Sequence, residues 1–313
     1  YINLMALNII FMGTPEFAVP ILESIYRSEH NILAVYTQPP KKRDRGQHIG
    51  HSPINEIANK LQLKVRSPDN FNSEVEFEFI KKLSPKVIVV VAYGKIIPKK
   101  FLDVEGLDYI NIHASLLPKL RGAAPIQRAI MNLDKETGVS IMKIVSKLDA
   151  GPVMMKSKLK IDETMSYFDL SKKMSNLSSK MILDALKLIE EKKAVFVEQS
   201  DVNATYAKKI EKNEAKINWR EEAKIILAKI NALNPNPGAW FDLNGIRIKV
   251  IKAKVIQASG KPGEILDNSF TVACLKNALQ IIELKKEGKK NMSATEFLKG
   301  YNLEIGSNIQ KNV

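Results

Sequence analysis

Cysteine is almost absent from this chain: Cys274 is the single one among 313 residues. One thiol excludes an internal disulfide framework and is what a reducing cytoplasm predicts. Histidine is scarce too, with His30, His48, His51 and His113, and no spacing of His, Cys, Asp or Glu suggests a metal site. No apolar run approaches the roughly 20 residues that a membrane-spanning helix requires. The opening YINLMALNII has no basic segment followed by a cleavage site, so no secretory signal is expected, and Met5 reads as the natural start. Gly13-Thr14-Pro15 supplies one glycine where a dinucleotide fingerprint needs three in six residues, and no Walker-type loop exists. Binding of NAD or FAD at that turn and ATP hydrolysis are therefore not expected. Repeats, low-complexity tracts and exposed heptads are missing as well, which makes a monomer the default.

What is present is an ordinary globular composition, 45% hydrophobic and 26% charged, in a chain long enough for two domains. The net charge of +14 is less ordinary. Residues 208–313 hold 19 basic and 11 acidic groups, a net +8, against +6 in the first 207. Excess positive charge points to a polyanion, nucleic acid before membrane. Charge alone is equally met by a lysine-rich solvated surface.

Leu7–Met12 is an apolar run closed by Gly13-Thr14-Pro15, after which Ala18, Ile21, Leu22 and Ile25 recur at helical spacing. Thr14 is the predicted N-cap, with Pro15 at the first helical position. Further strands are expected at Ile32–Tyr36, 86–94, Tyr109–His113, Val139–Ile144 and Val153–Ile161. The continuous Val/Ile runs among them suit strands buried on both faces. The whole reads as a Rossmann-like, doubly wound, mostly parallel α/β domain, with its site at the carboxyl ends of the strands. Ser166–Glu191 carries a helix period, and Thr205–Lys216 is polar enough for a linker. Beyond Trp219, short strand-like runs at Gly245–Ile256, Gly263–Leu266, Ser269–Ala273 and Leu279–Leu284 predict a small OB-like β-barrel. The expected division is 5–190 for the catalytic domain, 191–210 for a linker and 211–313 for the barrel.

The stretch YINIHASLLPKLRGAAPIQRAI at 109–130 carries the most chemical information. Asn111 and His113 are two residues apart on a strand, so both aim at one side of the sheet. An amide and an imidazole placed so can grip one carbonyl oxygen as charge develops on it, which suggests acyl transfer. Seen alone, the pair would be no more than two hydrogen-bonded residues at a strand end; its place beside the Ser115–Pro118 turn favours a site. Asp149, in Leu-Asp-Ala-Gly, is by itself a turn former. Beside His113 it would raise the imidazole's pKa and orient it. The run of residues 41–48, KKRDRGQH, suits a solvated loop or a phosphate grip equally, with Gly46 permitting close approach.

With these segments assembled, the chain resembles the methionyl-tRNA formyltransferases, within the broader 10-formyltetrahydrofolate-dependent superfamily. The resemblance rests on residues 9–17 (IIFMGTPEF), 89–94 (VVVAYG), 110–127, 136–142 (ETGVSIM) and 148–151 (LDAG), and on 205–210 and 215–219 in the tail. Asn-x-His, Ser-Leu-Leu-Pro and Leu-Asp-x-Gly mark the superfamily; Arg-Gly-Ala-Ala-Pro-Ile-Gln, the basic loop and the barrel tail mark the tRNA branch.

The resemblance implies Asn111, His113 and Asp149 as catalytic residues. It implies a 10-formyltetrahydrofolate donor along Val91, Ala92, Tyr93 and Gly94 and along Ser115, Leu116, Leu117 and Pro118. Arg45, with Lys41, Lys42 and Arg43, falls on a loop that meets the acceptor end of initiator methionyl-tRNA in this family, and Phe17 on the methionine pocket. No metal, no membrane and a cytoplasmic monomer complete the expectation. Two other readings remain open at this level. One is a transferase or hydrolase that uses formyl-folate with a small amine or water as acceptor. The other is an RNA-binding protein on a catalytically inert α/β platform.

Overall fold

The computed structural model describes residues 6–43 and 48–309. In chain order the elements are β1 (Asn8–Gly13), α1 (Val19–Tyr26), β2 (Asn31–Tyr36), β3 (Lys41–Arg43), β4 (His48–Gly50), α2 (Pro53–Lys60), β5 (Val65–Arg66) and α3 (Glu74–Leu83). Then come β6 (Val87–Val91), α4 (Lys99–Leu102), β7 (Asp108–His113), α5 (Pro125–Met131), β8 (Glu136–Lys143), β9 (Val153–Lys160) and α6 (Tyr167–Glu190). The remainder is α7 (Ala223–Leu233), β10 (Trp240–Leu243), β11 (Ile246–Ile256), β12 (Thr271–Ala273), β13 (Ala278–Lys286), β14 (Asn291–Ser293) and α8 (Ala294–Gly300). Two compact units result. One comprises Tyr1–Gly122, Thr137–Leu159 and Ser171–Ala207, the other Ala123–Glu136, Lys160–Leu170 and Lys208–Val313.

The first unit is built on a seven-stranded sheet of order β5-β2-β1-β6-β7-β8-β9. Strands β5 to β7 are parallel, and β8 runs antiparallel to β7. β6, Val-Ile-Val-Val-Val, is buried at every position, as its unbroken β-branched run requires of a strand covered on both faces. The chain leaves β1 toward β2 on one side and returns to β6 on the other. The carboxyl ends of β1 and β6 therefore flank a topological switch point, where α/β sheets open a crevice. The sheet class expected from the sequence is borne out.

Local chemistry sets the helix ends. Ser52 accepts from the Asn55 N–H at 3.0 Å and caps α2, with Pro53 in its first turn. Ser73 caps α3 in the same way. Thr14 does otherwise. The turn after β1 is a 3-10 segment with Pro15 at its N-cap, and the Thr14 hydroxyl donates to the Tyr93 carbonyl at 2.9 Å. Thr14 thus ties the end of β1 to the loop after β6, and the expected cap is corrected.

The second unit carries a five-stranded antiparallel sheet, order β10-β11-β13-β12 with β14 on β13. Two register shifts interrupt β11 against β13 between Val250 and Ala253, and such irregularities bend a long strand and curl a small sheet. Its core is a file of aromatic contacts running through Trp219, Phe241, Phe270, Phe297 and Tyr301. Cys274 is buried there, and burial pushes its thiol up to about 12. The predicted strand at Gly263–Leu266 is two isolated bridges instead, Glu264 to Asn308 and Ile265 to Val272. Among the described residues no helix is long and apolar enough to cross a membrane.

Candidate active site

β7 ends on Asn111 and His113, which share a face of the central sheet. Parallel pairing of Val90 with Asn111 sets the end of β7 beside that of β6, so the 92–94 loop adjoins the pair. His113 is 6% exposed. Its Nε2 lies 2.9 Å from the Leu120 carbonyl oxygen. A carbonyl only accepts, so Nε2 carries the hydrogen and the tautomer is fixed. Nδ1 then faces Asp149, whose Oδ2 stands 3.7 Å away. The Asn111 side chain is half-buried and hydrogen-bonds to no described residue. One amide with no hydrogen bond to a described residue, one ring nitrogen and the carboxylate it faces thus meet at a strand end.

Asp149 adopts a left-handed backbone, φ 46°, in the loop between β8 and β9. Its Oδ2 accepts from the Gly122 N–H at 2.8 Å. Gly151 follows because nothing larger fits: a Cβ there would lie 2.0 Å from the Lys143 carbonyl oxygen. The Leu-Asp-Ala-Gly turn is therefore shaped by crowding as well as by its aspartate.

The predicted donor-side residues divide by exposure. Ala92 and Gly94 are exposed, with φ of 47° and 79°, while Val91 and Tyr93 are buried. Gln38 donates to the Tyr93 and Gly94 carbonyls at 3.2 and 2.9 Å and holds the loop out. In the second segment Leu116 and Pro118 are half-buried, Ser115 and Leu117 buried. Ser115 donates to the Lys119 carbonyl at 2.6 Å, and Ser140 bridges the Ser115 carbonyl (2.7 Å) and the Leu117 N–H (3.1 Å). Ser115 thus shapes its turn. Phe17 is half-buried just beyond β1, with its carbonyl accepting from Ser175 at 2.7 Å. Lys41, Lys42 and Arg43 form β3, paired with β4. Arg45 lies outside the described residues.

Comparison with known proteins gives the family. The Formyl transferase family matches residues 7–186, and its C-terminal domain matches 209–302. A methionyl-tRNA formyltransferase of Pelagibacter ubique is 48% identical over 97% of this chain and 99% of its own. The chain belongs to the methionyl-tRNA formyltransferase family. Among solved structures, the family's member from Clostridium thermocellum shares the fold at TM-score 0.57 and 20% identity, over 81% of this chain and 95% of that one. HypX of Aquifex aeolicus, solved in complex with tetrahydrofolic acid, matches at TM-score 0.67 and 17% identity over 94% of this chain. The match spans 47% of HypX, so this chain corresponds to about half of that protein.

Several residues around the candidate site were not singled out individually from the sequence. Arg121 belongs to the quoted Arg-Gly-Ala-Ala-Pro segment, yet its side chain is fully buried, which its charge gave no reason to expect. Gln199 and Thr205 reach the same place from about 80 residues away, and no spacing signal connects them. Among the described residues, no group of three His, Cys, Asp or Glu is placed to hold a metal ion.

Proposed function

We propose that this chain transfers the formyl group of 10-formyltetrahydrofolate to the free α-amino group of initiator methionyl-tRNA, giving N-formylmethionyl-tRNA for translation initiation. The observation that carries the reading is Asn111 beside His113 on one face, with Asp149 against Nδ1 of the imidazole. Exposed, small Ala92 and Gly94 leave main chain bare beside that pair, which suits a flat, extended folate. The donor supplies the formyl group on N10 and departs as tetrahydrofolate. The amine nitrogen bonds to the formyl carbon, the bond from that carbon to N10 breaks, and the amine proton ends on N10.

Between those events the formyl oxygen bears negative charge. The Asn111 amide and a protonated Nδ1 of His113 donate to it, each contributing about 10²–10³ in rate. Asp149 stabilises the imidazolium and takes the amine proton, directly or through water. An amine is a competent nucleophile, so no acyl-enzyme is needed.

The methionyl side chain occupies the surroundings of Phe17. Arg45, with Lys41, Lys42 and Arg43, meets the acceptor end, residues 191–210 link the domains, and 211–313 bind the tRNA body. The net +8 of the last third supports this, as does Trp240, with Arg247 at 4.0 Å and Lys216 at 5.8 Å over its ring. The chain acts as a cytoplasmic monomer. The test is incubation with 10-formyltetrahydrofolate and charged initiator tRNA. N-formylmethionyl-tRNA forms with the unmodified chain and is largely lost with His113→Ala. Folate consumption without formylated tRNA would move the assignment to a small-amine transferase or a hydrolase.

A further inference from the structure

We propose that Gln199 and Arg121 are positioning residues for Asp149 and His113, which makes the segment before the second domain a strap that sets the catalytic geometry. The inference rests on the formyl-transfer reading above and goes beyond its three catalytic residues.

Three consecutive residues each hold a different part of the centre. The Leu120 carbonyl takes the Nε2–H of His113, and the Gly122 N–H donates to the Asp149 carboxylate. Between them the Arg121 guanidinium, fully buried, donates from Nε and Nη2 to the Gln199 side-chain oxygen at 3.1 and 3.0 Å. That double contact decides which end of the amide points where. The Gln199 nitrogen is left to donate to the carbonyls of Asp149 at 2.9 Å and Gly151 at 2.7 Å. The backbone it grips is the one with φ 46° at Asp149, a conformation a non-glycine residue holds only when its surroundings impose it.

The rest of the strap reinforces the clamp. Asp201 pairs with Arg121 Nη1 at 2.8 Å and with Lys147 at 2.5 Å, bridging the two loops that carry the site. Thr205 accepts from the Leu120 N–H through its hydroxyl at 2.8 Å and from the Arg121 N–H through its carbonyl at 2.9 Å. The Ala207 N–H returns a bond to the Arg121 carbonyl at 2.7 Å. Close packing excludes slack: Gly122 has φ 121°, and a Cβ there would stand 2.8 Å from the Ala207 carbonyl oxygen. The Gln199 side chain bonds to Arg121 and to the carbonyls of Asp149 and Gly151, so its effect on catalysis passes through the backbone of the loop.

The test is steady-state and single-turnover kinetics on full-length Gln199→Glu and Gln199→Leu. The first keeps an acceptor for Arg121 and removes the two donors; the second removes both functions. Kcat falls about 10- to 100-fold, as for other small misplacements of reacting groups, with KM for methionyl-tRNA and the melting midpoint unchanged. In an Asp149→Asn background the same substitutions add less than about 2-fold, because they act through that residue. Val202→Ser, on the same strap and 92% exposed, behaves as unmodified. Unchanged kcat, full multiplicative loss in the Asp149→Asn background, or melting lost in both variants would each overturn the positioning role. Asp149→Asn as active as the unmodified chain would instead overturn the formyl-transfer reading.

Discussion

His113 has one ring nitrogen, Nδ1, left for the proposed chemistry, since Nε2–H is held by the Leu120 carbonyl. The Asp149 carboxylate lies 3.7 Å from Nδ1, so in the proposed reaction that nitrogen stands between the carboxylate and the oxygen that gains charge. This leads to a kinetic expectation. His113→Ala and Asn111→Ala each lower kcat by about 10²–10³ with tRNA affinity nearly unchanged, since the interactions they remove exist only in the transition state. Parallel kcat and filter-binding measurements check it, and a matching loss of tRNA affinity would remove the catalytic assignment. At this scale the juxtaposition of Asn111, His113 and Asp149 was legible because their spacing and turn context are chemical signals. Leu120, which acts through its carbonyl, was not, because a backbone contact leaves no mark on residue type.

Among the elements, β5 and α3 are joined by a partly buried ion pair. Arg66 donates to both oxygens of Glu76 at 2.8 and 2.5 Å, and the Tyr36 hydroxyl donates to it at 2.7 Å. Burial pushes the Glu76 carboxyl up, but the bonds from Arg66 and Tyr36 outweigh that and hold it below its ordinary 4.5. A carboxylate whose folded pKa is depressed contributes stability above the unfolded value and loses it as pH falls through the folded one. The urea midpoint of the unmodified chain therefore falls more steeply below about pH 4.5 than that of Glu76→Gln. Parallel acid profiles of the two would refute the pair's contribution. Elements were legible where the apolar pattern was strong, as an unbroken β-branched run in β6 and a helical period in α6. Thr14 and the Gly263–Leu266 run were misread because tertiary partners, the Tyr93 carbonyl for one and the 307–309 segment for the other, settled their conformation.

At the level of the whole molecule, a net charge of +14 fits an acceptor that is itself a polyanion. Arg45→Ala is expected to weaken binding of methionyl-tRNA and lower the slope of log affinity against log salt by about one phosphate contact. Unchanged affinity and slope would take Arg45 out of the interface. The change in pattern after Trp219 marked where the antiparallel sheet begins. The assignment of 123–136 and 160–170 to the second unit, and the return of residues 197–207 onto the first, were not legible, because such segments carry no period that says where they pack. The most direct test of the account is formyl transfer from 10-formyltetrahydrofolate to initiator methionyl-tRNA, elongator methionyl-tRNA and free methionine, side by side at one salt concentration. The account predicts rapid transfer to the charged initiator and little to the other two. Transfer to free methionine at a comparable rate, or to no tRNA at all, would contradict it.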